Sequence, residues 1–483
     1  RTDVRVGSYE LDNTNHGGGG WGWYGGMFSM MGGGTVPLED DYNAIRQAVW
    51  LQTDSKYKDA AETLVQKKAF MESKQIEDKP NDFSREDPVV HFDPRLDLKP
   101  DKQSLEDLAV RVSEVFRKYP DVQRSSVSVF GGGADEYLVN SEGTRLRTNA
   151  TRFSFSADAT VQADDGMKLS DSFTVYARTR DGLPDAEVLV KQCEEMVQRL
   201  LAVRDAPKLE TYTGPVLFDK EAAAGLFLRR FGDKFPGGQR AVGGRTPPDD
   251  FEKKIGKRIL PRWMGVLDDP TREEICGEPV MGHYAYDDQG VAARPVQLVE
   301  NGRLKAQLMS RNPSKIADRS NGHGRGFYGP RASVGCLIVD VADGLDEDAL
   351  KQELIEAFQD EDLEFGIRVS SFAGSGGGSY GGHGFGGYGG GSTPLVMYKV
   401  YPDGQEELVR GAEIASFDIK AFKRMLAAGK DRYVLNTGGS TARTVVAPAM
   451  LFEELDLAKI DRDFDKPPIL ESPLARMEDE AAD

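Results

Sequence analysis

Gly214 to Gly238 reads GPVLFDKEAAAGLFLRRFGDKFPGG. Its first apolar run, Pro215-Val216-Leu217-Phe218, is short and uninterrupted, as a buried strand is. An Ala-rich apolar stretch from Glu221 to Phe231 has helical length, and it breaks at a Gly-containing loop. The stretch therefore predicts strand, helix and loop in that order. The end of the helix is unusual in its side chains. Leu228-Arg229-Arg230-Phe231-Gly232-Asp233-Lys234 carries three cations and neither His nor Glu.

Three further segments accompany it. Asp287-Asp288-Gln289-Gly290 precedes Pro295-Val-Gln-Leu-Val-Glu-Asn-Gly-Arg-Leu-Lys305. Ser320-Asn321-Gly322-His323-Gly324-Arg325 follows. Tyr398-Lys399-Val400-Tyr401-Pro402-Asp403-Gly404 leads to Glu407-Leu408-Val409-Arg410-Gly411. In order and spacing these segments resemble the TldD/PmbA family, bacterial proteins once called modulators of DNA gyrase and now regarded as peptidases. The resemblance covers most of the chain. In catalytic members the helix after the first strand carries His-Glu-x-x-x-His, which holds zinc and a general base, and a late Cys adds a ligand. Here the matching stretch, Leu228 to Lys234, has no His or Glu whichever one-residue register is chosen, and no Cys follows Cys336. The resemblance implies the TldE/PmbA-like branch: a non-catalytic subunit that shapes a peptide-binding cavity and pairs with a motif-bearing homologue or with itself. Zinc would be expected only in a catalytic member, so none is expected here. An active metallopeptidase with an atypical site and a scaffold or assembly protein are the alternatives.

Composition bounds the rest. At 483 residues the chain exceeds one ordinary core, so two domains are expected. Charged residues are 29% and hydrophobic residues 39%, as in a soluble globular protein, and no apolar run approaches the roughly 18 residues of a membrane span. A net charge of −18 opposes contact with nucleic-acid phosphates and is read as solubility. Three scattered Cys make no disulfide framework. Cys193 and Cys336 read as core residues and Cys276 as the exposed thiol. Val4 and Val6 alternate with polar neighbours, which predicts a strand from residue 1. The absence of an initial Met leaves two readings, a removed leader or a missing upstream piece. Export to the periplasm or the medium of a bacterium is the expectation, with the cytoplasm as alternative.

The fold class expected is α+β, with mixed and antiparallel sheets and packed helices: an N-terminal α+β domain over 1–205, a β-rich domain over 206–460 and an acidic, Pro-containing tail over 461–483. Residues 17–34 and 374–391 are more than half Gly and read as surface loops. Trp21, Trp23, Tyr24 and Phe28 would let the first of them dock on a partner or peptide. Leu38 to Lys74 predicts two helices broken at Thr53-Asp54-Ser55. Ser104-Leu-Glu-Asp107 predicts a capping-box start to a helix ending near Lys118. Strands over 126–130 and 136–140 are separated by a turn at Gly131-Gly132-Gly133, and strands over 151–163 and 172–178 follow, with a helix from Asp185 to Val203. Asn301-Gly302 predicts a type I′ hairpin. Lys420 to Ala428 predicts a helix stopped by Gly429.

Five histidines, His16, His91, His283, His323 and His383, include no pair within helical reach of each other. A metal site assembled from His283, His323 and carboxylates is the remaining route to zinc. No nucleophile elbow, P-loop or dinucleotide fingerprint is present. Arg229, Arg230 and Lys234 stand at the degenerate metal-site position. They are either a solvated helix end, which favours cations, or a site for a peptide carboxylate. By resemblance, Asn321, His323 and Arg325 border the cleft, where strand edges hold an extended peptide.

Overall fold

The computed structural model describes residues 2–17, 37–244, 251–326, 329–373, 393–438, 441–461 and 464. The first half contains α1 (Tyr42–Lys74), β1 (Val90–Phe92), α2 (Lys102–Ser113), β2 (Arg124–Val139), β3 (Arg145–Gln162), β4 (Lys168–Ala177) and α3 (Ala186–Asp205). β3 is the centre of a four-stranded sheet. It pairs antiparallel with β2 along its whole length, antiparallel with β4 and parallel with β1. Strand side chains alternate between faces, and β3 uses this fully. Phe153, Phe155, Ala157, Ala159 and Val161 are buried against α2 and α3, where Leu108, Val112, Leu189, Cys193, Val197 and Leu200 meet them. On the opposite face Ser156 bonds Thr174 at 2.9 Å and Thr160 bonds Ser170 at 2.8 Å.

The second half continues with β5 (Tyr212–Phe218), α4 (Lys220–Phe231), β6 (Met264–Asp268), β7 (Glu274–Ile275), β8 (Glu278–Pro279), β9 (Val296–Glu300), β10 (Arg303–Leu304), β11 (Gly324–Arg325), β12 (Arg331–Ala332) and β13 (Cys336–Val341). It ends with α5 (Glu347–Asp360), β14 (Gly366–Phe372), β15 (Pro394–Val400), β16 (Glu406–Val409), β17 (Ala412–Ser416), α6 (Ile419–Lys423), β18 (Met425–Thr437) and β19 (Arg443–Lys459). Eleven of these strands form one mixed sheet in the order β10-β9-β6-β13-β19-β5-β14-β15-β16, with β17 and β18 also paired to β19. The strand read from Pro215-Val-Leu-Phe is inside it. Val216 and Phe218 face the core beneath α4, and Leu217 faces Leu350, Leu354 and Phe358 of α5 on the other side. The class is α+β, as expected. No helix among the described residues is long and apolar enough to cross a membrane.

Five local expectations are corrected. Gly131-Gly132-Gly133 is not a turn: β2 runs straight through it, opposite Phe153, Arg152 and Thr151. The glycines serve close approach, since a Cβ at Gly131 would lie 2.6 Å from the Phe153 ring and one at Gly133 2.5 Å from Leu96. α1 is one unbroken helix of 33 residues, because Thr53 Oγ1 bonds Val49 O and Lys58 pairs with Asp54 within the helix. α2 starts earlier than the capping box suggests, with Asp101 accepting from the Ser104 N–H. Residues 420–428 are helical only to Lys423. β18 then begins, and Gly429 sits at a register shift where the 343–345 loop approaches, with Lys430 N–H donating to Leu345 O. Residues 2–17 make no strand, only bridges between Gly7 and Asp12 and between His16 and Val242.

The hairpin at Asn301-Gly302 forms as read: φ is 48° and 72° at the two positions, and Glu300 faces Arg303. A Cβ at Gly302 would meet Leu260 O at 2.3 Å and Pro261 O at 2.4 Å. Gly302→Val should therefore cost about 2–3 kcal/mol in urea unfolding from positive φ and backbone clash. Unchanged stability would show that this corner yields freely. The glycine-rich stretches 18–34 and 374–391, and the tail from 465, lie outside the described residues.

Candidate functional site

α4 is preceded by Asp219, whose carboxylate accepts from Ser370 Oγ at 2.5 Å, and burial raises its pKa. The inner side of the helix end is aromatic. Phe227 stacks on Phe231 at 4.6 Å, Phe231 lies 5.3 Å from Phe235 and 4.8 Å from Phe422, and all four are fully buried. The arginines leave on other sides. Arg229 is exposed with its guanidinium 5.3 Å over Phe372. Arg230 is half-buried 5.2 Å over Phe417, and burial together with Arg229 pushes its pKa down. Lys234 is exposed, and Asp233 faces Arg443 at 3.5 Å. These residues do not fit zinc, which needs neutral His, thiolate or carboxylate donors converging on one point. Among the described residues no group of three His, Cys, Asp or Glu side chains could hold a metal ion.

The three cleft candidates separate. His323 is fully buried. Its Nε2 lies 3.2 Å from Asp268 Oδ1, and its Nδ1 faces Asn321 O at 3.1 Å and Asn321 Oδ1 at 3.0 Å. Asp268 also accepts from Gly335 N–H and Cys336 N–H. Asn321 bridges the Met309 N–H at 2.7 Å and Gln307 O at 2.9 Å. Both residues hold the loop in place from inside. Arg325 alone reaches a groove, with its guanidinium 4.0 Å over Tyr284 and its Nε 3.2 Å from Asp288. His283 bonds Pro270 O through Nδ1 at 3.0 Å, so the two histidines do not combine.

That groove encloses about 930 Å³. Its walls are the N-terminal segment from Asp3 to Tyr9, the end of β2 with its turn (Glu136–Glu142), and the loop from Tyr286 to Gln289. Arg311 locks the walls together. It makes a two-pronged contact with Glu142, donates to Ser84 O at 2.6 Å, and stacks 3.8 Å from Phe83, which Arg5 also meets at 3.8 Å. Tyr9 OH donates to Glu142 Oε1 at 2.7 Å, and the Arg311 bonds hold the Glu142 pKa down. Sequence reasoning reached this groove only through Arg325 and the Asp287-Asp288 pair. Nothing in the residues near Tyr9 or Glu142 announces that they meet.

Asp287 lies in the groove wall. Its carboxylate accepts three backbone N–H groups, from Gln289, Val291 and Gly324, yet burial pushes its pKa up to about 6. The folded state thus binds more protons than the unfolded chain between pH 4 and 6, and stability at this group falls as pH rises through that window. The loss is roughly 3 kcal/mol by pH 7. Asp287→Asn should flatten the fall of unfolding free energy between pH 4 and 7 relative to the parent. Parallel profiles would rule out Asp287 as its source.

Residues 211–459 match the family model described as PmbA/TldA metallopeptidase C-terminal domain, and residues 95–203 match the central domain of the same family. The chain belongs to the PmbA/TldD family. A metalloprotease of Methanocaldococcus jannaschii is 24% identical over 272 residues, covering 53% of this chain and 55% of that protein. The metalloprotease PmbA of Escherichia coli O157:H7 is 27% identical over 207 residues, covering 42% and 40%. The chain spans about half the length of the curated relatives it matches. Among solved structures, TldE from Thermococcus kodakarensis superposes with a TM-score of 0.53 at 18% identity, over 84% of this chain and 85% of that one. A Thermotoga maritima protein described as a modulator of DNA gyrase gives 0.57 at 17% identity, over 84% and 83%. These two likenesses carry the PmbA/TldD fold. The aromatic helix end and the groove are read from this chain's own residues.

Proposed function

We propose that this chain is a non-catalytic member of the PmbA/TldD family, a pseudo-peptidase subunit that shapes a peptide-binding cavity and pairs with a His-Glu-x-x-x-His-bearing homologue. One observation carries the reading. The helix end from Leu228 to Lys234 carries three cations and turns phenylalanine rings inward, and its one carboxylate, Asp233, faces Arg443, so it presents no histidine ligand and no glutamate base. The atypical-site alternative gains nothing from His283 and His323, since His283 Nδ1 bonds Pro270 O while both ring nitrogens of His323 are engaged by Asn321 and Asp268. Pairing has its own support. α1 buries Ala60, Leu64 and Lys67, while Trp50, Leu51 and Tyr57 stand more than half exposed along it. Large apolar groups on an uncovered helix suit a protein interface.

Elemental analysis and light scattering test both parts. The purified chain should carry well under one zinc per chain, and it should form a heteromer with a motif-bearing homologue. Trp50→Glu with Tyr57→Glu should weaken that heteromer without shifting the melting temperature. About one zinc per chain, removed by chelation together with peptidase activity, would overturn the pseudo-peptidase reading. A chain that stays monomeric with every such homologue would overturn the pairing.

A further inference from the structure

The net charge of −18 is unevenly spread. Six cations, Lys253, Lys254, Lys257, Arg258, Arg303 and Lys305, stand on two short segments at the β10 edge of the large sheet. The backbone knits the two segments together. Gly256 N–H donates to Leu304 O at 2.7 Å, Leu304 N–H to Lys257 O at 3.0 Å and Ile259 N–H to Gly302 O at 2.8 Å. A bridge sets Arg258 beside Arg303, at the spacing of about 5 Å that separates paired strands. Gly302 and Leu304 are buried, while Asn301, Arg303 and Lys305 are exposed. The alternation thus turns Arg303, Lys305 and Arg258 to one solvent face. Ile259, Leu260 and Leu304 fix this platform from below, within the main core.

Carboxylates are scarce around it. Lys254 Nζ lies 5.1 Å over the Phe251 ring, and Arg303 donates to Gly256 O at 2.9 Å. Of the six cations only Lys305 forms an ion pair among the described residues, with Glu300 at 3.0 Å. Glu252 and Glu300 are the carboxylates of the two segments, which leaves a surplus of four positive charges. Residues 245–250, outside the described residues, add Arg245, Asp249 and Asp250 and leave a surplus of three. Arg262 and Asp343, on adjoining loops joined by the Ala342 N–H to Trp263 O bond, cancel.

Like charges held this close repel, and an anion laid over them relieves the repulsion. The hairpin holds them on a rigid base, so little ordering is needed when the anion arrives. The kind of anion follows from what surrounds the platform. Stable seating on a bilayer takes large apolar groups beside the cations, and no large apolar side chain in 251–263 or 300–305 is among the exposed ones. A nucleic acid or a membrane also carries its charge far beyond the platform, where the rest of a chain at −18 repels it. An acidic stretch of protein confines its charge to the area of the platform.

We propose that the cationic platform of residues 253–258 with Arg303 and Lys305 docks an acidic segment of a partner protein. None of its residues borders the groove, so the inference stands apart from the peptide-cavity reading. Fluorescence anisotropy with a labelled decaglutamate peptide tests it at low and at physiological salt. Lys257→Glu with Arg258→Glu should weaken binding about tenfold at low salt. Added salt should weaken the parent's binding and narrow that gap. The melting temperature of the variant should hold or rise, since the change relieves repulsion between like charges. Lys253→Glu with Lys305→Glu should act in the same direction, and it keeps the test open if the first pair misfolds. Lys168→Glu with Lys191→Glu, remote cations on β4 and α3, should leave binding unchanged. An equal loss there would reduce the effect to overall charge and overturn the platform. Failure of decaglutamate to bind the parent, or equal binding to parent and platform variants, would overturn it as well. Vesicles of phosphatidylserine with phosphatidylcholine and a short DNA duplex form the other arms. Tighter binding of either than of decaglutamate, lost in the platform variants, would overturn the assignment to an acidic protein.

Discussion

Lys67→Met should destabilise the protein by about 3 kcal/mol, because it takes from a buried carboxylate the nearer of its two lysines and leaves only Lys79, at 3.2 Å. The Lys67 and Asp82 side chains are both fully buried, with Nζ 2.6 Å from Asp82 Oδ2. Nζ also donates to Asp12 O at 3.1 Å and Thr14 O at 2.5 Å, so its three donors have three acceptors. Burial pulls the lysine pKa down and the Asp82 contact opposes that pull. Asp82 in turn takes the Asp12 N–H at 2.8 Å. This cluster fastens α1 to the N-terminal segment that walls the groove. Removing the amine leaves Asp82 charged without its closest countercharge. The double variant Lys67→Met with Asp82→Leu should lose less than the two single changes summed, since it strands neither charge. Urea unfolding of the three variants measures this. A loss under about 1 kcal/mol for Lys67→Met would mean that water reaches the site in solution.

The second large effect is expected at Asp268. Its fully buried carboxylate receives His323 Nε2 at 3.2 Å, Cys336 N–H at 3.1 Å and Gly335 N–H at 3.2 Å. Asp268→Ala leaves three donors unsatisfied in the interior and should cost about 3–5 kcal/mol. Asp268→Asn keeps one acceptor oxygen and should fall between the variant and the parent. Because this cluster sets the Asn321–Arg325 loop, Asp268→Ala should also change near-ultraviolet circular dichroism from Tyr284, whose ring meets His323 edge-on at 6.4 Å. A fully stable Asp268→Ala protein would reduce His323 to a filler.

The sequence discloses what is local. Asn301-Gly302 declares its turn because two adjacent positive φ values demand those residue types. The strand at 215–218 and the helix after it are legible because a continuous apolar run and an alanine-rich stretch differ in length and composition. Gly131-Gly132-Gly133 fails because glycine signals a turn and close packing alike, and only the positions of Phe153, Leu105 and Leu96 tell them apart. Residues 425–428 fail as a helix because β19, their pairing partner, overrides a helix-like composition. His323 reads as a cleft residue until Asp268, far away in the chain, is seen to hold it inside. The groove is the least legible feature, since its walls come from three segments that no periodicity connects.

The smaller sheet does not complete its own core. Leu395 and Val396 of β15, encoded far downstream, are buried in the cluster formed by α2, α3 and β3. The first half therefore carries a built-in vacancy until the rest of the chain has left the ribosome. A gene divided in the linker near residue 207 would yield an early fragment with an apolar socket at its surface. Heating the whole chain should melt both halves together, because neither can loosen without uncovering the other.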